Sequence, residues 1–173
     1  MTVDNLDRSI LQLLHRNGRL PYSEIARELG SNEATVRKRV ERLLRDGVCE
    51  IIGVSNPYRL GLETHVLIGL EVDLRMLDAI AEQLAAMEEL SYVACASGEY
   101  DIVVVGVFES DAELYRFLSQ KLAAIEGIRK TYTSHLLRLM RRTFNYRIPA
   151  SPPTPENGAG EGPGWSRGPN GSR

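Results

Sequence analysis

The chain has 173 residues, 43% hydrophobic and 25% charged, with a net charge of −2, which suits a folded globular protein of one ordinary domain or two small ones. Its longest apolar runs, HVLIGL and IVVVGVF, fall far short of the roughly 18 residues that span a bilayer. The opening MTVDNLDRSI lacks the charged-then-apolar order of a secretory signal, so no membrane role and cytoplasmic residence are expected.

Three helices are predicted in the first 47 residues. Leu6, Ile10, Leu13 and Leu14 form one apolar stripe, ended by Gly18. In YSEIARELG, Tyr22, Ile25, Ala26 and Leu29 share a face before Gly30. Asn32 then suits the N-cap of a third helix, with Glu33 at its positive end, and Gly47 closes it. The β-branched VCEIIGVS predicts a short strand or a small two-stranded wing, Cys49 lies inside it, and NPYRLG reads as a linker broken by Pro57 and Gly61.

In the third helix, ~100° per residue gathers Val36, Val40, Leu43 and Leu44 into an inward stripe. Thr35, Lys38, Arg42 and Arg45 fall opposite, with Arg37 and Arg39 at the flanks. Residues 1–60 carry ten Arg/Lys against eight Asp/Glu, whereas residues 61–148 carry nine against thirteen, so the basic excess is local. A capped basic helix after YSEIAREL and a short turn has the helix-turn-helix arrangement, about residues 22–46, whose second helix enters the DNA major groove. There Asn32 caps, Glu33, Thr35 and Lys38 approach bases, and Arg37, Arg39, Arg42 and Arg45 serve phosphates or intramolecular ion pairs.

From Glu63 the order is strand, helix, strand, strand, helix, strand: THVLIGLEV; MLDAIAEQLAAM with Leu77, Ile80, Ala81, Leu84 and Met87 inward; LSYVACAS, containing Cys95; DIVVVGVF after the turn GEYD; DAELYRFLSQKLAAI; and GIRKTYTSHLLRL. This is the βαββαβ order of a ferredoxin-like sheet, and its two βαβ halves are alike. The fold class is therefore α+β, an N-terminal winged helix-turn-helix domain followed by a ferredoxin-like domain. The expected boundaries are 1–55, a linker at 56–62, 63–148, and a Pro/Gly-rich tail at 149–173 read as disordered, with Trp165 as an incidental aromatic. HVLIGL and DIVVVGVF are apolar at odd and even positions alike, so both faces of the central strands require cover. Helices supply one cover; a second chain or the N-terminal helices must supply the other, and a homodimer is expected.

The stretch LDRSILQLLHRNGRLPYSEIARELGSNEATVRKRVERLLRDGVCEIIGV closely resembles the DNA-binding half of the Lrp/AsnC, or feast/famine, regulators. LDRSIL, GR, EIA, TVRKRVERL and DGV fall in that family's order and spacing, and the resemblance runs through GEYD and RKTYTS, covering about residues 4–142. Ser31 stands where the family often has an apolar residue. The resemblance implies double-stranded DNA as partner, nucleoid association, and assembly beyond the dimer to a tetramer or octamer. It also implies an amino-acid effector site near Gly98, Tyr100 and Asp101, with Thr131 and Thr133 from the last strand.

Catalytic residues, metal ligands and cofactors are not expected. His15, His65 and His135 are scattered and pair with no nucleophile motif, and the two cysteines form no CxxC or Cys/His cluster. Two alternatives are carried: a siroheme-decarboxylase-like enzyme, whose aromatic and histidine-rich stretch has no counterpart in GLETHVLIGLEVDL, and an amino-acid-sensing module without DNA binding.

Overall fold

In the computed structural model, which describes residues 3–141 and 146–149, three helices come first: α1 (Asn5–Arg16), α2 (Tyr22–Glu28) and α3 (Glu33–Arg45). α1 starts from a reciprocal capping box: Asp4 accepts from the Asp7 amide at 2.9 Å, and Asp7 accepts from the Asp4 amide at 3.1 Å. The turn from α2 to α3 passes through Gly30 at φ +61°, a left-handed conformation that disfavours a side chain. Asn32 caps α3 as expected, accepting from the Thr35 amide at 2.8 Å. Ile10, Ile25, Val36, Val40 and Leu43 are fully buried where the helices meet. Each such side chain contributes roughly 1.5–3 kcal/mol relative to exposure.

The expected strand or wing after α3 is not formed. The Val48 and Cys49 amides both bond the Leu43 carbonyl, and no strand lies in 48–56. Ile51, Ile52 and Val54 are exposed there. Their β-branched side chains favour extended backbone, but a strand needs a paired neighbour, and the described residues supply none.

The chain later returns to these helices. Ile148 packs against their core, and the Pro149 carbonyl accepts from Arg8 Nη1 at 2.6 Å. Two residues that the sequence reading gave to the second domain and the tail thus complete the first unit. Residues 150–173, including Trp165, lie outside the described residues. By compactness the described chain divides into one unit up to Val54, joined by 146–149, and another over Ser55–Arg141.

The second unit opens with a 3-10 turn, Pro57–Leu60, where the sequence predicts only a broken linker. Then follow β1 (Thr64–Val72), α4 (Leu77–Ala85), β2 (Leu90–Cys95), β3 (Ile102–Phe108), α5 (Asp111–Arg116) and β4 (Ile128–His135). The sheet order is β2-β3-β1-β4 with every neighbouring pair antiparallel, as βαββαβ connectivity requires. Val66, Ile68, Leu70, Ile102, Val104 and Phe108 bury one sheet face against Ile80 and Leu84 of α4 and Leu114 of α5.

Two expected elements are shorter. The last α5 residue is followed by a π turn, Phe117–Lys121, and a 3-10 turn, Leu122–Ala124. In an ideal α-helix Phe117 and Leu122 would point ~140° apart; the wider turn lets both reach the core, where each is buried. β4 ends at His135 instead of continuing to Leu139. Its partner β1 begins at Thr64, and the Leu136 amide makes the final bond, to the His65 carbonyl at 2.8 Å.

The opposite sheet face is open. Leu67, Ala94, Val103, Val105 and Val107 are half-buried on it and Tyr92 is exposed, in agreement with the doubly apolar pattern of the central strands.

Candidate nucleic-acid interface and effector turn

Among the cations of α3, four meet carboxylates. Arg37 Nη2 lies 2.7 Å from Glu33 Oε1, one helical turn back, and its guanidinium sits 5.2 Å from the centre of the Tyr22 ring. Arg45 Nε lies 3.0 Å from Asp46 Oδ1. Both pairs are solvent-exposed and worth roughly 0–1 kcal/mol. Lys38 is exposed with no carboxylate partner among the described residues, and Thr35 is half-buried beside it.

Arg39 and Arg42 behave differently. Arg39 Nη1 bonds Asp4 Oδ2 at 2.5 Å and Asp7 Oδ1 at 3.0 Å, and Arg42 Nη2 bonds Asp7 Oδ2 at 2.5 Å. The Asp7 side chain has 0% exposure, while those of Arg39 and Arg42 retain 26% and 34%. The expected outward orientation of Arg42 is therefore corrected: it reaches back to α1. The ~60° between residues three apart puts both arginines on the edge of α3 that faces α1. Withdrawal of one partner of such a buried pair typically costs about 3–5 kcal/mol. The Arg39 bond holds the Asp4 carboxyl down at about 2, aided by the Asp7 amide, and Asp4 in turn raises the Arg39 guanidinium.

Sequence reasoning missed Asp4 and Asp7. The signal was present: D-N-L-D before an apolar run is a capping pattern, and Asp7 lies between Leu6 and Ile10 on the inward side of the helix. A carboxylate at a core-facing position requires a cation opposite it.

In the second unit, the turn after β2 places Gly98 in exposed backbone. Asp101 closes it: its carbonyl accepts from Ala96, its amide donates to Leu70 O, and its Oδ2 accepts from the Val72 amide at 2.8 Å. This carboxylate therefore holds the end of β1, beside the irregularity between Glu71 and Val72. The Tyr100 ring lies flat over Gly69, where any Cβ would come within 2.6 Å of it, and it meets Tyr132 with ring centres 5.3 Å apart. Tyr132 donates to Glu71 at 2.7 Å, and Lys130 pairs with the same carboxylate at 3.3 Å. The Tyr132 hydrogen bond, more than Lys130, holds the Glu71 carboxyl below its ordinary range.

Thr131 and Thr133 do not join this group. They pair with Leu70 and Ile68 in the sheet and so share the helix-covered face, whereas Tyr132 pairs with Gly69 on the open face. The alternation of a strand separates the threonines from Tyr100 and brings in Tyr132, Glu71 and Lys130 instead.

The three histidines stay apart. His65 is buried and stacks on Tyr58 at 4.7 Å, His135 approaches Asp111 at 3.3 Å, and His15 lies on α1. Among the described residues, no group of three His, Cys, Asp or Glu could hold a metal, and no helix is long and apolar enough to cross a membrane.

Residues 3–44 match the AsnC-type helix-turn-helix domain, and residues 65–145 match the Lrp/AsnC ligand binding domain. An HTH-type transcriptional regulator of Pyrococcus abyssi is 38% identical over 135 residues, covering 78% of this chain and 85% of the relative. Among solved structures, Escherichia coli AsnC is 28% identical with a TM-score of 0.72, covering 81% of this chain and 97% of that one. A Neisseria meningitidis transcriptional regulator in complex with L-Met has a TM-score of 0.77 at 20% identity, covering 84% and 97%. These families and relatives are regulators, which sets the enzyme alternative aside.

Proposed function

Because the chain belongs to the Lrp/AsnC family of transcriptional regulators, we propose that it binds double-stranded DNA sequence-specifically as a homodimer and that an amino acid or related small molecule adjusts its assembly or affinity. The chain carries a helix-turn-helix DNA-binding domain and an Lrp/AsnC ligand-binding domain; the operator, the assembly and the effector are our reading. The observation that carries it is α3, a helix capped by Asn32, anchored inward by Val36, Val40 and Leu43, and presenting exposed Lys38 beside Thr35. Thr35 and Lys38 approach base edges, with Glu33 beside them and Asn32 capping, while Arg37 and Arg45 exchange weak carboxylate partners for phosphates.

Two chains pair through the open sheet face, which would otherwise leave a broad apolar surface in water. A two-fold pair of α3 helices then reads a pseudo-palindrome with half-sites about one helical turn apart. Such dimers assemble further, to a tetramer or octamer, in a cytoplasmic, nucleoid-associated protein. The Neisseria neighbour holds L-Met, which supports an amino acid as the effector class. The exposed amides around Gly98 offer donors to its carboxylate, and Asp101, Tyr100, Tyr132 and Glu71 lie beside them, with Thr131 and Thr133 on the far face of the same strand.

The test is genome-wide DNA pull-down with the purified protein, repeated with each amino acid, followed by gel shifts on the recovered site. Lys38→Ala is expected to weaken binding to the recovered site, and Arg37→Ala to reduce the salt dependence by about 0.9 in log–log slope per helix. Retained affinity and slope would remove α3 from the interface. Sedimentation unchanged by every amino acid would remove the effector from the reading.

A further inference from the structure

Five cations lie on α3, yet the residues they face divide them sharply. Arg37 and Arg45 are paired with exposed Glu33 and Asp46 on the same helix or its end, and Lys38 has no carboxylate partner among the described residues. A phosphate oxygen can replace an exposed carboxylate with little net change, because water already screens the pair. Arg39 and Arg42 instead converge from α3 onto one fully buried carboxylate of α1. Each Asp7 oxygen holds one guanidinium, and Oδ2 also accepts the Asp4 amide. The Arg42 Nε is itself buried without a hydrogen-bond partner, so this part of the side chain is withdrawn from solvent although 34% of the side chain stays exposed. Asp4 and Asp7 together cancel the two positive charges. A phosphate that drew either arginine away would leave a carboxylate in the interior with too few donors, an outcome that burial strongly disfavours.

We propose that Asp7 is a positioning and specificity-determining residue of the DNA interface. Its buried carboxylate withholds Arg39 and Arg42 from the phosphates and fixes the α1–α3 contact that aims Thr35 and Lys38. This rests on the DNA-binding reading and adds a division of labour to it. Arg37, Lys38 and Arg45 are the releasable cations, and the other two are structural. Non-specific affinity, which depends on phosphate neutralisation, is then lower than a count of basic residues implies, and base contacts carry a larger share of the total. With Lys38 turned to base edges and ~0.9 of log–log salt slope per neutralised phosphate, the arginines of each α3 contribute about 1.8 to the slope rather than about 3.6.

The experiment measures binding of full-length protein to a non-specific duplex by fluorescence anisotropy across a salt series, below the melting temperature of each variant as checked by circular dichroism. Arg37→Gln and Arg45→Gln are expected to lower the slope by about 0.9 per bound helix, whereas Arg39→Gln and Arg42→Gln leave it unchanged. Asp7→Asn is expected to raise the slope by up to about 1.8 per helix and tighten non-specific binding, because both arginines become available. A residue that only supports the fold would weaken binding on mutation and would not steepen its salt dependence. A folded Asp7→Asn protein with an unchanged or smaller slope overturns the proposal, as does a loss of slope in Arg39→Gln or Arg42→Gln equal to that in Arg37→Gln. Should Asp7→Asn fail to fold, the arginine comparison decides alone, since each of those variants leaves Asp7 one guanidinium. If wild-type protein binds no duplex at low salt, the DNA-binding reading falls, and this proposal falls with it.

Discussion

The two units of this chain depart from the apolar-inside rule in opposite directions. The helical unit encloses charge: Asp7 is fully buried, Arg8 nearly so, and Arg39 and Arg42 reach in from α3. The sheet unit leaves apolar surface outside, with Val103, Val105 and Val107 half-exposed along the face opposite its helices. Buried charge must meet its partner at hydrogen-bond distance, so it sets an angle between two helices. Exposed apolar surface has no such directionality, so it specifies only that something must cover it. Orientation is thus secured between the helices of the first unit, while the second is left with a face that calls for cover of no fixed orientation.

The largest test of this contrast is Asp7→Ala. It removes the buried acceptor of two guanidinium groups that keep 26% and 34% exposure and is expected to destabilise the helical unit by about 3 kcal/mol, the low end for a buried pair, in denaturant titrations. A loss under 1 kcal/mol would erase the distinction between the two regions. On the sheet, Val105→Asp places a charge in the middle of the open face. We expect at least a roughly 100-fold weaker dimer by sedimentation, about 2.7 kcal/mol, with the monomer still folded; an unchanged dimer would show that this face is not the contact. Next comes Gly69→Ala, which sets a methyl group against the Tyr100 ring. A cost of about 1–3 kcal/mol is expected, relieved when Tyr100→Ala is added, and a double variant no better than the single would mean the ring does not rest there. The smallest effect is that of pH. Asp4 has a folded-state value lowered to about 2 from its ordinary 3.8, so its contribution is fully present above about pH 4 and lost as pH falls through about 2. Acid unfolding of the helical unit should begin in that window, and Asp4→Asn should flatten it.

Much of this arrangement was legible in the sequence because it rests on local chemistry. The stripe from Leu6 to Leu14 and the Asn32 cap follow from side chains within a few residues of one another. The βαββαβ order follows from the change of apolar period after Glu63, and the doubly apolar β1 and β3 announced the open face. What escaped depends on contacts across the fold. Arg42 was placed outward by helix geometry, but its length lets the guanidinium follow Asp7. Thr131 and Thr133 were grouped with Tyr100 by likeness to a family, although the period of two already set them on the other face from Tyr132. Nothing local marks the π turn at Phe117, which exists because Phe117 and Leu122 both reach the same core. The strand expected in VCEIIGVS fails for the opposite reason: its propensity is strong, but a ladder needs a partner.

The contacts of Ile148 and Pro149 with the first unit bear on how the protein is made. A nascent chain presents α1, α2 and α3 early, yet the residue that finishes their packing emerges roughly a hundred positions later, about 5–20 s at ordinary rates of synthesis. Through that interval the DNA-binding unit exists with part of its shell unfilled and with Arg8 lacking the Pro149 carbonyl. The order of synthesis therefore gives the sheet unit time to form before the helix-turn-helix unit receives its last contact.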